Sequence, residues 1–238
     1  NILYGVSKNR KWNIGLDINL RSVRVDDKDS SPLKVLIFRK NDRNNRSGIS
    51  SLGPTVKFAP FKNTKISIKS SLLIPITKDN EGVERIVVDS QNVSRYPFFD
   101  WDRFTWWNQF FYDKNIGSKW QLFLEGDLLF RFAKPANSYA DNNPKDDILD
   151  TPMSAFLSYF PSDKSTVYIM LQYSPRFGLN KNEKVSGFNV QGDFAQTGIG
   201  FKYQISSKIG LEVLYSNFFT SANQGAGNTF NFGIRYIN

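Results

Sequence analysis

The chain has 238 residues, with 31 Lys and Arg against 22 Asp and Glu for a net charge of +9, and it contains neither His nor Cys. Those absences remove disulfide frameworks, thiol and imidazole catalysis and most transition-metal sites. A mean hydropathy of -0.41, with no apolar run near the ~18 residues of a spanning helix, excludes a helical membrane protein, while 15% aromatic residues exclude disorder and suit a single domain over residues 1–238.

No stretch keeps an apolar period of 3.6, and the recurring signal is period two, the mark of strands. A short first strand is expected at Ile2 to Ser7. From Trp12 the even positions are Trp12, Ile14, Leu16, Ile18 and Leu20, while the odd positions are Asn13, Gly15, Asp17, Asn19 and Arg21. Further strands are predicted at Ile49 to Ala59, Lys65 to Thr77 and Arg103 to Tyr112. The alternation is clearest at Trp120 to Phe132, where Trp120, Leu122, Leu124, Gly126, Leu128, Phe130 and Phe132 oppose Gln121, Phe123, Glu125, Asp127, Leu129 and Arg131. Pro152 to Phe160, Thr166 to Ser174, Phe194 to Ile205, Ile209 to Phe219 and Thr229 to Ile237 complete eleven strands.

Short turns at Lys8 to Lys11, Pro60 to Thr64, Asp113 to Ser118, Pro161 to Ser165 and Ser206 to Lys208 alternate with five long polar loops. These loops are Asp26 to Ser47, Lys78 to Asp102, Ala133 to Thr151, Phe177 to Gln191 and Thr220 to Asn228, with a short helix expected at Pro32 to Lys40. All turns therefore lie at one end of an up-and-down meander and all loops at the other.

A soluble barrel or sandwich would also alternate. Three features favour a transmembrane β-barrel instead. The strands reach the about 9 to 11 residues that a tilted strand needs to cross a bilayer. In several strands ionised residues sit at mid-strand on one face while the other has almost none, and Trp12, Tyr112, Trp120, Tyr203 and Tyr236 stand on the apolar face beside the short turns, as a membrane-interface girdle does. The fold class expected is all-β, an up-and-down antiparallel transmembrane β-barrel. Outer-membrane barrels have short periplasmic turns and long external loops and an even strand number. The strand at Ile2 then descends, so twelve strands are expected, with the first lying outside this sequence, since an open sheet would leave unpaired backbone in lipid.

Several stretches carry a resemblance: SPLKVLIF, GPTVKFAPF, SSLLIPITKD, DWDRFTWWNQFFYDK, LFLEGDLLFR, SYFPSDKSTVYIMLQYSP and GLEVLYSNFFTSANQGAGNTFNFGIRYI. Over nearly its whole length the chain resembles outer-membrane β-barrel proteins of Bacteroidota, of the kind described as transporters. The resemblance implies a barrel in the outer membrane of a Gram-negative bacterium. One departure is the terminus, where Asn238 stands in place of the aromatic residue that often ends such barrels, with Tyr236 two positions earlier.

Barrel enzymes of the outer membrane are similar to one another in needing a His, which this chain lacks. Glu125 and Asp127, two apart on one strand face, have a spacing that acid and base chemistry could use, but lumen charge is the better reading. The acid-rich stretches Asp26 to Asp29 and Asp141 to Asp150 match no defined calcium loop, so no catalytic site, metal or cofactor is expected. The lumen-lining charges by alternation are Asp17, Arg21, Lys57, Lys69, Glu125, Asp127, Arg131, Lys202, Glu212 and Arg235. Lys202 falls opposite Glu212, with Arg235 on the next strand, and aromatic residues such as Phe111, Phe123 and Tyr168 point the same way.

Two functions follow. One is a narrow pore or transporter for small solutes, with a weak anion preference and a tolerance for flat or partly apolar substrates. The other is a non-conducting scaffold or accessory subunit of a larger outer-membrane complex, with exposed aromatics such as those of Tyr96 to Trp101 as contacts. The expected partners are membrane lipids and either a small solute or an outer-membrane protein. Nucleic acid is not among them, because the basic excess gathers around the short turns. There Lys8, Arg10, Lys11, Lys62, Lys65, Lys114, Lys119, Lys164 and Lys208 outnumber Asp113 and Asp163, where they can reach lipid phosphates.

Overall fold

The computed structural model describes residues 1–7, 11–24, 45–61, 65–76, 86–88, 91–93, 103–133, 147–179, 189–222 and 227–236. Fourteen strands and no helix occur among them. They are β1 Ile2–Gly5, β2 Trp12–Arg24, β3 Asn45–Phe58, β4 Ile66–Pro75, β5 Ile86–Val88, β6 Gln91–Val93 and β7 Thr105–Ile116, followed by β8 Trp120–Arg131, β9 Asp147–Asp150 and β10 Met153–Ser162. The last four are β11 Ser165–Leu179, β12 Asn189–Gln204, β13 Ile209–Ala222 and β14 Asn228–Tyr236.

Twelve of these strands form one sheet, ordered β1-β2-β3-β4-β7-β8-β10-β11-β12-β13-β14, with β9 pairing β11 and β8 off that path. The β1-β2, β8-β10, β10-β11, β11-β12, β12-β13 and β13-β14 ladders are all antiparallel, and the chain runs up and down. The eleven strands on the path are the eleven that period two predicts. The structure adds β9 inside the predicted loop at Ala133 to Thr151, and a separate β5-β6 hairpin inside the one at Lys78 to Asp102. Strands also outrun their predicted ends. β11 continues to Leu179 and β13 to Ala222, which shortens the loops that follow. The predicted helix at Pro32 to Lys40 and the aromatic segment at Tyr96 to Trp101 lie outside the described residues.

The chain divides into two compact units. The first holds Asn1–Val56, Ser70–Trp107 and Arg131–Asp147; the second holds Lys57–Lys69, Asn108–Phe130 and Ile148–Asn238. In the first, the hydroxyls of Thr55 and Ser71 lie 2.8 Å apart and Ser71 donates to Asp17 Oδ2 at 2.5 Å, while Asn19 Nδ2 donates to Ser51 Oγ at 2.8 Å. In the second, β10 to β14 form a continuous run of long ladders.

The two faces of the strands are inverted relative to a water-soluble fold. Among the described residues, six apolar side chains are buried against fourteen polar ones, including Asp17, Lys69, Gln109 and Asp127. Large apolar side chains are instead exposed at alternate positions, such as Ile14, Leu16 and Ile18 in β2, Val167, Ile169 and Leu171 in β11, and Phe230, Phe232 and Ile234 in β14. Burial of apolar area drives the folding of soluble domains, so a sheet that hides its polar face and presents its apolar one is matched to an apolar solvent.

Short connections are tied by hydroxyls that accept from turn amides, which offers the backbone partners the ladder no longer supplies. Ser7 Oγ accepts from Lys11 and Trp12, and Ser206 Oγ from Lys208 and Ile209. Between β7 and β8 the turn narrows to Gly117 through Lys119, with Gly117 at φ 67°. That left-handed conformation is one glycine adopts without steric cost. β7 therefore runs four residues past Tyr112, so Asp113, expected in the turn, is a strand residue.

Candidate functional site: an aromatic and ionic cluster on the polar face

The second unit places four rings side by side on its polar face, from four strands adjacent in the sheet. Phe111 of β7 stacks on Phe123 of β8 at 5.8 Å between centroids, Phe123 meets Phe156 of β10 at 5.8 Å, and Phe156 meets Tyr168 of β11 at 6.0 Å. Cross-strand register produces this row, because Phe156 pairs with Phe123 in the β8-β10 ladder. Such separations are those of favourable aromatic pairs.

A lysine stands over each end of the row. Lys57 Nζ lies 5.1 Å from the Phe111 centroid and Lys202 Nζ 4.9 Å from that of Tyr168, both within cation–π range. The two lysines differ in their other partners. Lys202 is the register partner of Glu212 and its Nζ lies 3.3 Å from Glu212 Oε1. Lys57 has no carboxylate within ion-pair distance among the described residues. Beside it, the buried Lys69 donates to Gln109 Oε1 at 3.1 Å, and Gln109 Nε2 donates to Glu125 Oε1 at 2.9 Å. Lys69 and Glu125 are thus linked through one amide.

Tyr168 joins the rings to the charges. Its hydroxyl donates to Glu212 Oε1 at 2.6 Å, two strands away. The strand between contributes Gly200, the register partner of Tyr168. A Cβ there would stand 2.1 Å from Tyr168 Cζ, so only glycine leaves room for the ring to cross. Gly210 of β13 lies under Gln204 and Arg235 with more room. A Cβ would lie 3.1 Å from Gln204 Oε1 and 3.9 Å from Arg235 Nε, and Arg235 Nη2 donates to that same Gln204 oxygen at 3.3 Å.

The resulting surface is hollow. A cavity of about 420 Å³ is walled by Phe123, Phe156, Tyr168, Lys202, Glu212 and Arg235, with Asp113 held by both Nε2 bonds of Gln121 at 2.8 and 3.0 Å. A second, of about 330 Å³, shares Lys202, Glu212 and Arg235 and extends toward Asp163 and Lys164 at the β10-β11 turn.

Of the ten charges assigned by alternation, Lys57, Lys69 and Glu125 gather around Gln109 and Phe111, and Lys202, Glu212 and Arg235 around Tyr168 and the cavity. Asp127 is buried on β8. Asp17 belongs to the Ser71 and Thr55 cluster of the other unit, which also contains Arg21, exposed on β2, and Arg131. Sequence patterning did not single out Phe156, Gln109, Gln121 or the role of the glycines. The signal for the last was present, since Gly198, Gly200, Gly210 and Gly233 all fall on the polar parity of their strands.

Of the aromatic residues on the other face, Trp12, Trp120, Tyr203 and Tyr236 are exposed near strand ends, and Trp120 packs on its register partner Tyr159 at 4.9 Å. Tyr112 is half-buried and stands farther from its turn, because β7 continues to Ile116. No cluster of three or more potential metal ligands occurs among the described residues.

No family model matches the sequence, and no curated protein matches it. Among solved structures, an outer membrane channel from Pseudomonas putida F1 is similar, with a TM-score of 0.59 and 14% sequence identity over 98% of this chain and 79% of that one. At that identity the likeness is one of fold, an antiparallel up-and-down β-barrel.

Proposed function

We propose that the protein is a narrow β-barrel pore or transporter for small solutes in the outer membrane of a Gram-negative bacterium, and not an enzyme. The observation that carries this reading is the inversion of the two faces, with exposed apolar side chains opposite a buried polar face that includes Asp17, Lys69 and Asp127. A polar face of this kind is useful to a solute and costly to a soluble core. The shared fold supports the channel, and the quoted stretches support a Bacteroidota source. In this reading the ten alternating charges line the lumen, the aromatic residues near strand ends hold the membrane interfaces, the short turns face the periplasm and the long loops face outward. Membrane lipid and a small solute are its partners.

A second reading rests on the density of polar contacts. The Lys69–Gln109–Glu125 and Asp17–Ser71–Thr55 bonds are what a closed, non-conducting scaffold or accessory subunit of an outer-membrane complex would also need. Planar-bilayer recording of the purified protein separates the two. Discrete conductance steps support the pore, and silence at every voltage together with a stoichiometric partner in mild detergent supports the scaffold.

A further inference from the structure

From the 420 Å³ cavity beside Tyr168 we infer a binding seat for a small aromatic carboxylate, with the ring of the solute against Phe123, Phe156 and Tyr168 and its carboxylate on Arg235. The inference names the substrate class of the pore proposed above and rests on that reading.

The cavity has the size of a small-molecule site, which runs from about 300 to 1,000 Å³. One wall is a run of aromatic rings on a face that is otherwise polar. Rings in that arrangement select flat, apolar surface, since offset and tilted contacts between π systems add to the burial of area.

The opposite wall decides the charge of the solute. Glu212 already accepts from the Tyr168 hydroxyl and faces the Lys202 ammonium. Asp113 accepts two bonds from Gln121. Arg235 is the group with capacity to spare. A guanidinium presents five N–H donors, and among the described residues this one uses a single 3.3 Å bond to Gln204 with no carboxylate in ion-pair distance. A carboxylate matches a guanidinium fork with two parallel bonds, which an alcohol or a neutral sugar does not. Asp113, on the same cavity, penalises a carboxylate bound elsewhere and so fixes the orientation of the solute.

The test is equilibrium binding of 4-fluorobenzoate to the folded protein in detergent, read by fluorine NMR line broadening against empty micelles. Saturable broadening is expected, displaced by benzoate but not by acetate or maltose, with none for 4-fluorobenzylamine. Arg235→Gln should weaken binding at least tenfold, and Phe156→Leu, which keeps the wall apolar, severalfold. Arg235 is exposed, so its replacement leaves the fold intact, and the heat-dependent gel mobility of a folded barrel checks this. Equal binding by Arg235→Gln and the parent, equal binding of the amine and the acid, or displacement by maltose would each overturn the assignment. Binding does not require conduction. Saturable binding without conductance steps would retain the seat and remove the pore, whereas steps without binding would remove the seat and retain the pore.

Discussion

The Tyr168 ring crosses the backbone of Gly200 so closely that a methyl group at Gly200 would lie 2.1 Å from its Cζ, and beyond that crossing the hydroxyl reaches Glu212 at 2.6 Å. Glycine in β12 is therefore what joins β11 to β13 on the polar face. Gly200→Ala should expel the ring and cost about 1–3 kcal/mol, as overpacking does. Thermal unfolding in detergent should show it as a lower midpoint. Tyr168→Ala combined with Gly200→Ala should cost less than the two single changes added together, because the clash is gone. Tyr168→Phe retains the ring and removes only the hydroxyl, and should leave the Gly200→Ala penalty unrelieved. Additive behaviour across this cycle would mean the ring does not occupy that position.

Lys57 and Lys69 carry the same charge in the same unit, yet their surroundings give opposite predictions. Lys57 is half-buried over Phe111 and free of ion pairs among the described residues, so its charge acts on whatever passes. Lys57→Glu should move bilayer selectivity toward cations, seen as a shift in reversal potential under a salt gradient, with a smaller fall in melting midpoint than Lys69→Glu. Lys69 is 7% exposed and bonded to the amide that holds Glu125. Lys69→Glu would put two carboxylates on one amide in a buried setting, so its first effect should be on stability, by about 3–5 kcal/mol as for a broken buried pair. If both variants fold equally well and shift selectivity equally, the contrast in environment is without consequence.

β9 is held to β11 by a charged contact in addition to its ladder. Arg176 Nε lies 2.6 Å from Asp150 Oδ1, with side-chain exposures of 27% and 9%, and Thr151 N donates to Pro175 O at 3.0 Å. Asp150→Asn keeps the size of the acceptor and removes its charge. It should destabilise the protein by about 1–3 kcal/mol, the range for a hydrogen bond to a charged group. Arg176→Gln should add little to it. A denaturant double-mutant cycle measures the coupling, and two independent, additive losses would show that the pair contributes no interaction of its own.

The particular strands explain what could be read from sequence. β2 alternates cleanly as far as Arg21, and β8 and β13 keep every ionised residue on one parity, where Phe123, Leu129, Leu214 and Phe218 are the large apolar exceptions, so the contrast between faces is written into consecutive residues. β10 alternates poorly, with Phe156 and Phe160 on one parity and Leu157 and Tyr159 on the other, so Phe156 could not be placed on the polar face without its register partner Phe123. The strand predicted to end at Ser174 runs on past Pro175, a residue that removes a ladder donor. The strand continues to Leu179 with a register shift between Arg176 and Phe177. β9 is four residues, DILD, too short to show any period. The cavity was the least legible feature, since it depends on Gly200 leaving space for the Tyr168 ring to cross from the neighbouring strand.

The inversion of the faces gives the sharpest check on the membrane. Ile199 is well inside β12, paired with Ile169 and Tyr215, and is 57% exposed. On a protein bathed in water, replacing an exposed isoleucine by arginine changes stability by no more than about 0.5 kcal/mol. On the lipid face of a barrel near the bilayer midplane, the same change costs about 2–4 kcal/mol. Ile199→Arg should therefore lower the unfolding free energy, read by denaturant titration of the protein folded into phosphatidylcholine vesicles, by that amount. An Ile199→Arg protein that folds in vesicles as readily as the parent would place this face in water and remove the bilayer from the account.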